Sequence, residues 1–420
     1  MANNFDSNFT KKLAKGVLGS FESQRVLSKN VNTQKLDGKF DPTTGSTTRF
    51  KRPTDYKSKR SANGDISGGT RSDIIRGEAV GEVQDYITVD VDFDEAVQSL
   101  EMGNDEQEFY DAMALRIVTD LELDFADFMM KNSALQAGTV GTGVGSWDAV
   151  SEAGSVLQST GVPAGPWCYG VNSYTQRKLA SDQRSLGGET GMMTANERAT
   201  ITDNFAGMRV MTATTMGSYT TSAGATRDGT LASSPVQTYV SVKDSYTQQL
   251  AVTGFQANLV IKAGERISVA GRNRLNLSTR RPILDDLGNQ IVFTAVVTED
   301  VTLDGSGAGT LIISGPAVFE ANGAYNTVDS ALTTGDVVTL LAAESSIIQP
   351  NMFWHRDAFS IGSVPIKKLF STDTIGTTND GLQMRVSKYA DGDANKQIVR
   401  IDFRPAYCAM NQFWAGHGHG

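Results

Sequence analysis

The hydrophobic positions of this chain change period several times along its length. In residues 82–93 apolar and polar side chains alternate, which predicts a half-buried strand. Over about 105–132 the apolar positions recur every three or four residues, which predicts a long amphipathic helix. A shorter stretch with helical spacing lies within residues 1–30. Residues 31–78 show almost no periodicity and predict a long extended loop, which a compact domain rarely carries unless the loop reaches a partner.

Residues 147–216 mix the two periods and predict an α/β segment. The apolar stripe from Trp147 to Leu157 indicates a helix. The run at 167–172 indicates a buried strand, and its last residue, Asn172, has a side chain suited to cap the next helix. A further strand is predicted at 207–216.

From about residue 217 the composition changes. Residues 220–235 resemble a low-complexity linker, and the segments after it combine β-favouring residues with turn signals. Short strands at near-regular spacing predict a small all-β barrel or sandwich. The expected strands of this module are 237–244, 248–254, 265–271, 290–300 and 310–317.

Three later segments predict strands that return to the α/β segment. The β module would then be inserted in a loop of an α/β domain, which is the simplest topology for this order of elements. The three segments are 351–366, 382–390 and 397–410.

Charge is segregated in the first third of the chain. Residues 11–60 hold 13 Lys/Arg and 4 Asp/Glu, whereas residues 78–127 hold 16 Asp/Glu and a single basic residue, Arg116. Oppositely charged blocks in one chain favour head-to-tail contacts between copies. The net charge of −9 argues against a protein whose whole surface wraps nucleic acid, because neutralising phosphates requires clustered Lys and Arg.

The composition indicates a loop-rich, β-rich protein that is made and kept in the cytoplasm. Apolar residues make up 39% of the chain and 42 residues are glycine, which favours thin layers over one thick core. The N-terminus lacks a signal-peptide core, and the longest apolar run, 337–343, is too short to span a bilayer. The two cysteines, Cys168 and Cys408, lie among apolar residues and are expected to be buried free thiols.

Candidate chemistry is sparse. No phosphate-binding loop pattern occurs, and the glycines of 138–146 indicate a linker. His355 is interpreted as a strand residue, and the pair His417 and His419 as a solvated tail rather than a metal chelator. The acidic pair at 285–286 is expected in an exposed loop of the β module. The sequence therefore predicts no catalytic residue, no metal site and no cofactor.

The order of these segments resembles that of tailed-phage major capsid proteins with the Hong-Kong-ninety-seven fold. Residues 45–66 are similar to the extended loop of that family. The strand at 82–93 and the helix after it resemble the peripheral domain with its spine helix. Residues 199–216 are similar to a segment of the axial domain, in which a helix leads through Phe-Ala-Gly into a strand. The closing strands of that domain resemble 351–366 and 398–416.

The β module resembles the insertion domain of short-tailed phage coat proteins, mainly through residues 259–271 and the strands that follow. The resemblance implies an α+β capsid fold with an inserted all-β, barrel-like domain. The segments expected from it are an N-terminal arm (1–30), an extended loop (31–78), a peripheral domain (79–137), a first axial part (138–224), the β insertion (225–325) and a second axial part with closing strands (326–420).

The resemblance implies that the chain builds an icosahedral shell around double-stranded phage DNA. Its partners would be further copies of itself in pentamers and hexamers, a separate scaffolding protein, a portal protein, and packaged DNA without sequence-specific contacts. The protein would not be an enzyme, would not contact a membrane, and would reside in the virion capsid after assembly in the host cytoplasm.

In shells of this family the extended loop lies over the peripheral domain of a neighbour, which suggests a role for the two charge blocks. The basic block would then face the acidic one of another subunit. The candidate intersubunit residues are Arg49, Lys51, Arg52, Lys57, Lys59 and Arg60 on the loop and Asp120, Asp124 and Asp127 on the helix.

Three alternatives stay open at this stage. Within the same fold, the chain could form an encapsulin-like cellular compartment, although the insertion domain argues against it. The Gly/Thr-rich β module also fits an adhesive or carbohydrate-binding surface protein, which the missing signal peptide disfavours. An enzyme with a site of dispersed carboxylates has no motif in its support.

Overall fold

The computed structural model describes residues 6–33, 45–67, 74–94, 106–186, 189–198, 201–202, 204–321, 323–370, 373–391 and 396–420. Parts of the predicted extended loop (34–44 and 68–73) and residue 105 of the predicted helix lie outside the described residues. The described helices are α1 (Asp6–Gln24), α2 (Glu106–Lys131), α3 (Trp147–Thr160), α4 (Ser173–Leu186), α5 (Glu189–Arg198) and α6 (Tyr239–Val242), with short 3-10 helices at Ser28–Asn30, Arg356–Ala358 and Gln412–Trp414.

The first half of the chain contributes the strands β1 (Thr47–Lys51), β2 (Glu78–Val83), β3 (Ile87–Asp94), β4 (Leu135–Ala137), β5 (Trp167–Val171), β6 (Asn204–Phe205), β7 (Met208–Thr212), β8 (Tyr219–Thr220) and β9 (Asp228–Leu231). The second half contributes β10 (Thr247–Thr253), β11 (Val260–Ile261), β12 (Arg266–Asn273), β13 (Val292–Val297), β14 (Val301–Thr302), β15 (Gly309–Ser314), β16 (Val337–Leu340), β17 (Ile347–Ile348), β18 (Asn351–His355), β19 (Phe359–Ser363), β20 (Thr374–Thr377), β21 (Gln383–Asp391), β22 (Lys396–Phe403), β23 (Pro405–Ala409) and β24 (Ala415–Gly418).

The chain forms two compact units. The first contains the described residues of Met1–Arg49, Val80–Ala126 and Phe359–Cys408. The second contains those of Phe50–Ala79, Asp127–Ala358 and Ala409–Gly420.

The first unit contains an antiparallel sheet in the order β20–β21–β22–β3. β3 pairs with β22 along its whole length, from Ile87 opposite Phe403 to Asp94 opposite Lys396. The side chains of residues 87–92 alternate between half-buried and exposed, which confirms a half-buried strand in the later part of the predicted range 82–93. That range is not a single strand, because residues 82 and 83 end β2, which lies in another sheet. α1 packs on β20 and β21, and the ring centroids of Phe21 and Phe403 lie 5.4 Å apart. A second sheet has the order β1–β2–β23–β19.

The long helix predicted from the apolar spacing is present as α2. Ile117, Leu121 and Phe125 follow its buried stripe and have no exposed surface. The charged residues Arg116 and Asp124 are exposed on the other side, which confirms that the helix is amphipathic, while Leu115 and Leu123 are exposed there as well.

The second unit contains a six-stranded sheet in the order β4–β24–β18–β5–β7–β6. β24 runs parallel to β4 and β5 parallel to β7, while β18 is antiparallel to both of its neighbours. Ser146 caps α3 by accepting a hydrogen bond from Ala149 N at 3.3 Å. Asn172 Oδ1 accepts one from Thr175 N at 2.8 Å, which confirms the predicted cap of α4.

The second unit also contains a closed barrel in the order β10–β15–β13–β12–β16–β9. Its interior is largely apolar, because all six strands contribute inward side chains to one buried cluster that includes Leu231, Leu250, Ile267, Phe293, Ile313 and Leu340. The barrel confirms the predicted all-β insertion. Outside the barrel, β8 pairs with β17 and so joins the chain segment before β9 to the segment after β16.

The barrel extends beyond the expected insertion of 225–325 at the C-terminal end of that range. Its sixth strand, β16, comes from Val337–Leu340 and lies between β12 and β9. β9 lies inside the segment interpreted as a linker. Its strand signal is weak because it needs glycine at 229, where a Cβ would come within 2.4 Å of the Phe255 ring. The other segment boundaries stay predictions.

Two further strand predictions need correction. Residues 237–244 contain the short helix α6 instead of a strand, because Tyr239 and Val242, three residues apart, are both buried. The strands β21 and β22 do not return to the α/β sheet. They pair with each other, and β22 pairs with β3 in the first unit, where it supplies hydrogen-bonding partners for the backbone N–H and C=O groups of β3.

Candidate intersubunit site

The far part of the extended loop is exposed. All residues from Tyr56 to Ser67 have exposed side chains, among them Lys57, Lys59 and Arg60, which we call the loop cations. Short local hydrogen bonds shape this segment, such as that from Ser67 N to Asp65 Oδ1 at 2.9 Å. The structure therefore places these three positive charges on an exposed segment without a core of its own.

Arg49 and Lys51 are exposed on β1, but Arg52 is not available to a partner. It is only 5% exposed. Its Nη1 donates to Met410 O at 2.7 Å, and its guanidinium carbon lies 3.7 Å from the centroid of the Tyr246 ring. The interpretation of Arg52 as an intersubunit residue is therefore wrong, because the period of two that exposes Arg49 and Lys51 turns Phe50 and Arg52 inwards.

The three candidate acids of α2 lie on its accessible side, and we call them the helix acids. Asp124 is exposed, and Asp120 and Asp127 are partly exposed. Arg116 pairs with Asp120 at 3.1 Å and Lys131 with Asp127 at 2.6 Å, both four residues apart on the same helix. Such exposed pairs contribute only about 0.3–0.5 kcal/mol, so a cationic partner can replace them at little cost.

A fourth acid of α2, Glu122, has a different role that the sequence did not indicate. It is 2% exposed and its carboxylate accepts hydrogen bonds from Leu27 N at 2.7 Å and Ser28 N at 3.0 Å. Its donors are 94 and 95 residues away along the chain, so no local sequence signal could have identified it.

The acidic strand β3 is partly neutralised within its own sheet. Lys396 on β22 pairs with Asp92 at 2.7 Å, and its hydrogen bond and charge lower the pKa of the Asp92 carboxyl. Two acids of the predicted acidic block, Asp90 and Asp92, therefore face basic residues of β22 across the sheet, with Arg400 directly opposite Asp90.

Next to this ladder, Asp402 is fully buried in a network of polar partners. Burial alone would raise its pKa, but hydrogen bonds from Arg385, Arg400 and Thr88 outweigh burial and lower the pKa. Arg385 Nε donates at 3.0 Å and Thr88 Oγ1 at 2.8 Å. The donors come from β21, β22 and β3, so this buried carboxylate links three neighbouring strands of the sheet.

The C-terminal histidines are buried rather than solvated, which corrects their interpretation as a tail. His417 is on β24, within the six-stranded sheet, and its Nε2 lies 2.9 Å from Met130 O. Burial, followed by the nearby charge of Arg266, holds the pKa of His417 well below its usual value and lowers that of His419 to about 3. Their sequence, AGHGHG, has no apolar residue after Ala415 that could indicate a buried strand.

The other candidate residues have the expected structural roles. His355 is a buried residue of β18, as predicted, and the loop at 285–286 is exposed. Cys168 and Cys408 are free and buried, which confirms that prediction, and burial raises the pKa of the Cys168 thiol to about 11. The described residues hold no cluster of three or more His, Cys, Asp and Glu side chains arranged to bind a metal ion. Among the described helices, none has the length and apolar character that crossing a bilayer requires.

Comparison with known proteins identifies the family. The family described as P22 coat protein, gene protein 5, matches residues 1–418. The major capsid protein of Acyrthosiphon pisum secondary endosymbiont phage 1 is 34% identical over 426 residues, which cover 100% of both chains. Among solved structures, the chain is similar to one from Mycobacterium phage Che8, with 12% identity, a TM-score of 0.48 and coverage of 94% of this chain and 90% of that one. It is also similar to the capsid structure of Cyanophage P-SCSP1u, with 9% identity, a TM-score of 0.43 and coverage of 89% and 83%. Because the family match extends over nearly the whole sequence, the chain belongs to the P22 coat protein family, the major capsid proteins of tailed phages.

Proposed function

We propose that copies of this chain assemble as pentamers and hexamers into an icosahedral shell that encloses double-stranded phage DNA. Membership of a major capsid protein family supports this role, and it favours neither the cellular compartment nor the adhesive surface protein. The shell is a structural assembly, and catalysis has no part in the proposal.

The observation that supports intersubunit contact most directly is the exposure of the loop from Tyr56 to Ser67. An extended segment that buries none of its own side chains gains little from folding back on its subunit. Its three loop cations fit an acidic partner surface. The helix acids of a second copy supply such a surface, with carboxylates spaced by one helical turn.

Each contact of this kind is weak. A single exposed ion pair contributes about 0–1 kcal/mol, but a shell repeats the same set of pairs in every subunit. Weak individual contacts also allow a misplaced subunit to dissociate before the shell closes. The proposal therefore does not depend on any one pair being strong.

The remaining partners follow from the shell role. We infer that a separate scaffolding protein guides assembly, that a portal protein occupies one vertex, and that assembly takes place in the host cytoplasm. The chain carries a net charge of −9, so its contacts with packaged DNA are expected to be non-specific and limited to local basic patches.

The test is assembly of the purified chain, with its scaffolding partner, followed by light scattering and electron microscopy. Closed particles with five- and six-fold capsomers are the expected result. Their yield should fall as the salt concentration is raised from about 0.1 M to about 1 M, because the screening length shrinks from about 10 Å to about 3 Å. A strictly monomeric species at high protein concentration, with the scaffold present, would contradict the proposal.

A further inference from the structure

The root of the extended loop is held by the insertion that contains the barrel. We call residues 52–55 the outgoing limb and residues 75–78 the returning limb, and together they form the neck of the loop. The neck and the insertion belong to the same compact unit. The two limbs also pair with each other, because Arg52 N donates to Gly77 O at 2.8 Å.

The outgoing limb contacts the insertion through its backbone and through a charge. Asp55 N donates to the hydroxyl of Tyr325 at 2.9 Å. The Asp55 carboxylate pairs with Arg280 Nη2 at 2.6 Å. Arg280 is itself fixed, because its Nη1 donates to Asn326 O at 2.8 Å.

The returning limb is held by the same hydroxyl and by a second loop of the insertion. Tyr325 Oη donates to Ile75 O at 3.0 Å, and Glu78 N donates to Asp244 Oδ1 at 2.9 Å. Gly77 lies so close that a Cβ there would be 2.3 Å from Lys243 O. This close approach leaves no room for a larger residue at position 77.

Tyr325 therefore uses one hydroxyl as acceptor for one limb and as donor for the other. Its ring cannot easily move, because it stacks on the buried Tyr239 with centroids 3.7 Å apart and ring planes 2° apart. The hydroxyl thus sits on a rigid support that is part of the insertion and not part of the loop.

We propose that the insertion orients the extended loop for docking, with Tyr325 as the positioning residue and Arg280 and Asp55 as its support. The inference rests on the proposed function in one respect, namely that the loop docks on a neighbouring copy. From Tyr56 onwards the described loop is exposed, so the direction in which it leaves the subunit is set at the neck. A loop oriented before docking loses less conformational freedom when it binds, and it associates more readily.

The test uses the full chain with the substitution Tyr325→Phe, which removes the hydroxyl and keeps the stacked ring. Hydrogen exchange is measured on unassembled subunits, and assembly is then followed by light scattering. Tyr169→Phe is the matched control, because its buried hydroxyl has no hydrogen-bond partner among the described residues and it lies on β5, outside the neck. Asp55→Asn is a second variant that weakens the Arg280 pair alone.

In Tyr325→Phe, amide exchange in 52–55 and 75–78 should become about tenfold faster, as expected for the loss of two hydrogen bonds of ordinary strength. Exchange in the barrel strands should not change, and assembly should be slower at equal protein concentration. Asp55→Asn should also make amide exchange at the neck faster and assembly slower, each by a smaller factor than Tyr325→Phe does. Tyr169→Phe should leave neck exchange and assembly rate at their wild-type values.

Unchanged exchange at the neck in Tyr325→Phe would overturn the proposal, whatever the assembly rate. Faster exchange at the neck with an unchanged assembly rate would overturn it as well, because the order of the neck would then make no difference to docking. The exchange measurement needs no shell. A failure of this inference is therefore distinguishable from a failure of the proposed function, which would appear as wild-type subunits that do not assemble.

Discussion

The carboxylate of Glu122 on α2 holds Ser28, the first residue of the 3-10 helix at the end of the N-terminal arm. Oε1 of Glu122 accepts a hydrogen bond from Ser28 N at 3.0 Å and another from the Ser28 hydroxyl. The second oxygen, Oε2, accepts one from Leu27 N at 2.7 Å. Both partners are buried, so the spine helix fixes the end of the arm through one carboxylate that satisfies three donors.

Glu122→Gln should destabilise the subunit, because the amide brings an NH2 group towards N–H donors. At least one buried backbone donor would lose its acceptor, at a cost of about 1–3 kcal/mol. Denaturant titration should show a lower free energy of unfolding, and hydrogen exchange should accelerate at residues 27–30. Asp120→Asn on the exposed side of the same helix is the control and should cost no more than a few tenths of a kcal/mol. Equal effects of the two substitutions would rule out the anchoring role of Glu122.

The contrast between Glu122 and the helix acids shows how far the sequence could predict the site. Periodicity located α2 and its apolar stripe correctly, since burial of Leu121 and Phe125 follows from spacing alone. It could not tell a buried acid from an exposed one, because the donors to Glu122 come from a distant segment. Arg52 is a different case. The alternation of β1 that buries Phe50 also buries Arg52, and this signal was present in the sequence.

The missed parts of the fold also have physical reasons. β9 and β24 contain glycines where neighbouring groups approach closely, and Thr230 is their one β-branched residue, so they carry little of the β-branched and aromatic composition that predicts strands. In β24, a Cβ on Gly416 would come within 2.3 Å of the Phe353 ring. Strand partners such as β22 and β3 are about 300 residues apart, and pairing at this separation depends on tertiary packing rather than on local pattern.

The barrel makes a prediction about which fragment can fold alone. A fragment of residues 225–325 lacks β16, so β12 and β9 would each lose a neighbour, and the buried side chains of Val338 and Leu340 would be missing from the core. A fragment of residues 217–350 contains all six strands and the β8–β17 pair. We expect dispersed amide resonances and a cooperative thermal transition from the longer fragment only. A cooperative transition in the shorter one would mean that β16 is dispensable.

The buried C-terminal histidines predict acid sensitivity. The folded-state pKa values of His417 and His419 lie below the ordinary value of 6.5, so protons bind more readily to the unfolded chain. The contribution of the two neutral histidines to the stability of the fold is complete above about pH 6.5. It is lost progressively as the pH falls towards the folded-state pKa, which for His419 is about 3. Within that range, each histidine should reduce the free energy of unfolding by about 1.4 kcal/mol for every unit by which the pH falls.

Denaturant titrations at about pH 7.5, 6 and 5 measure this slope, in a range where carboxylates stay ionised. His419→Gln removes one titrating group. Below pH 6.5, the free energy of unfolding of this variant should therefore change less steeply with pH than that of the wild type, by the contribution of one histidine. His355 is present in both chains, so the difference reports on His419. Parallel slopes would show that His419 is accessible to protons in the folded subunit.

The last prediction concerns the two charged surfaces. Reversal of the three loop cations to Glu should block assembly while the subunit stays folded, because these side chains are exposed and belong to no core. Reversal of the helix acids to Lys should do the same, at a cost to the helix of a few tenths of a kcal/mol for each local pair that becomes repulsive. The two sets combined should restore part of the particle yield measured by light scattering and microscopy. Reversal of Arg184, Lys367 and Lys368, which are exposed outside the loop, controls for net charge and should have a smaller effect. If the combined variant assembles no better than either parent, the loop cations and the helix acids do not pair, even where the shell itself forms.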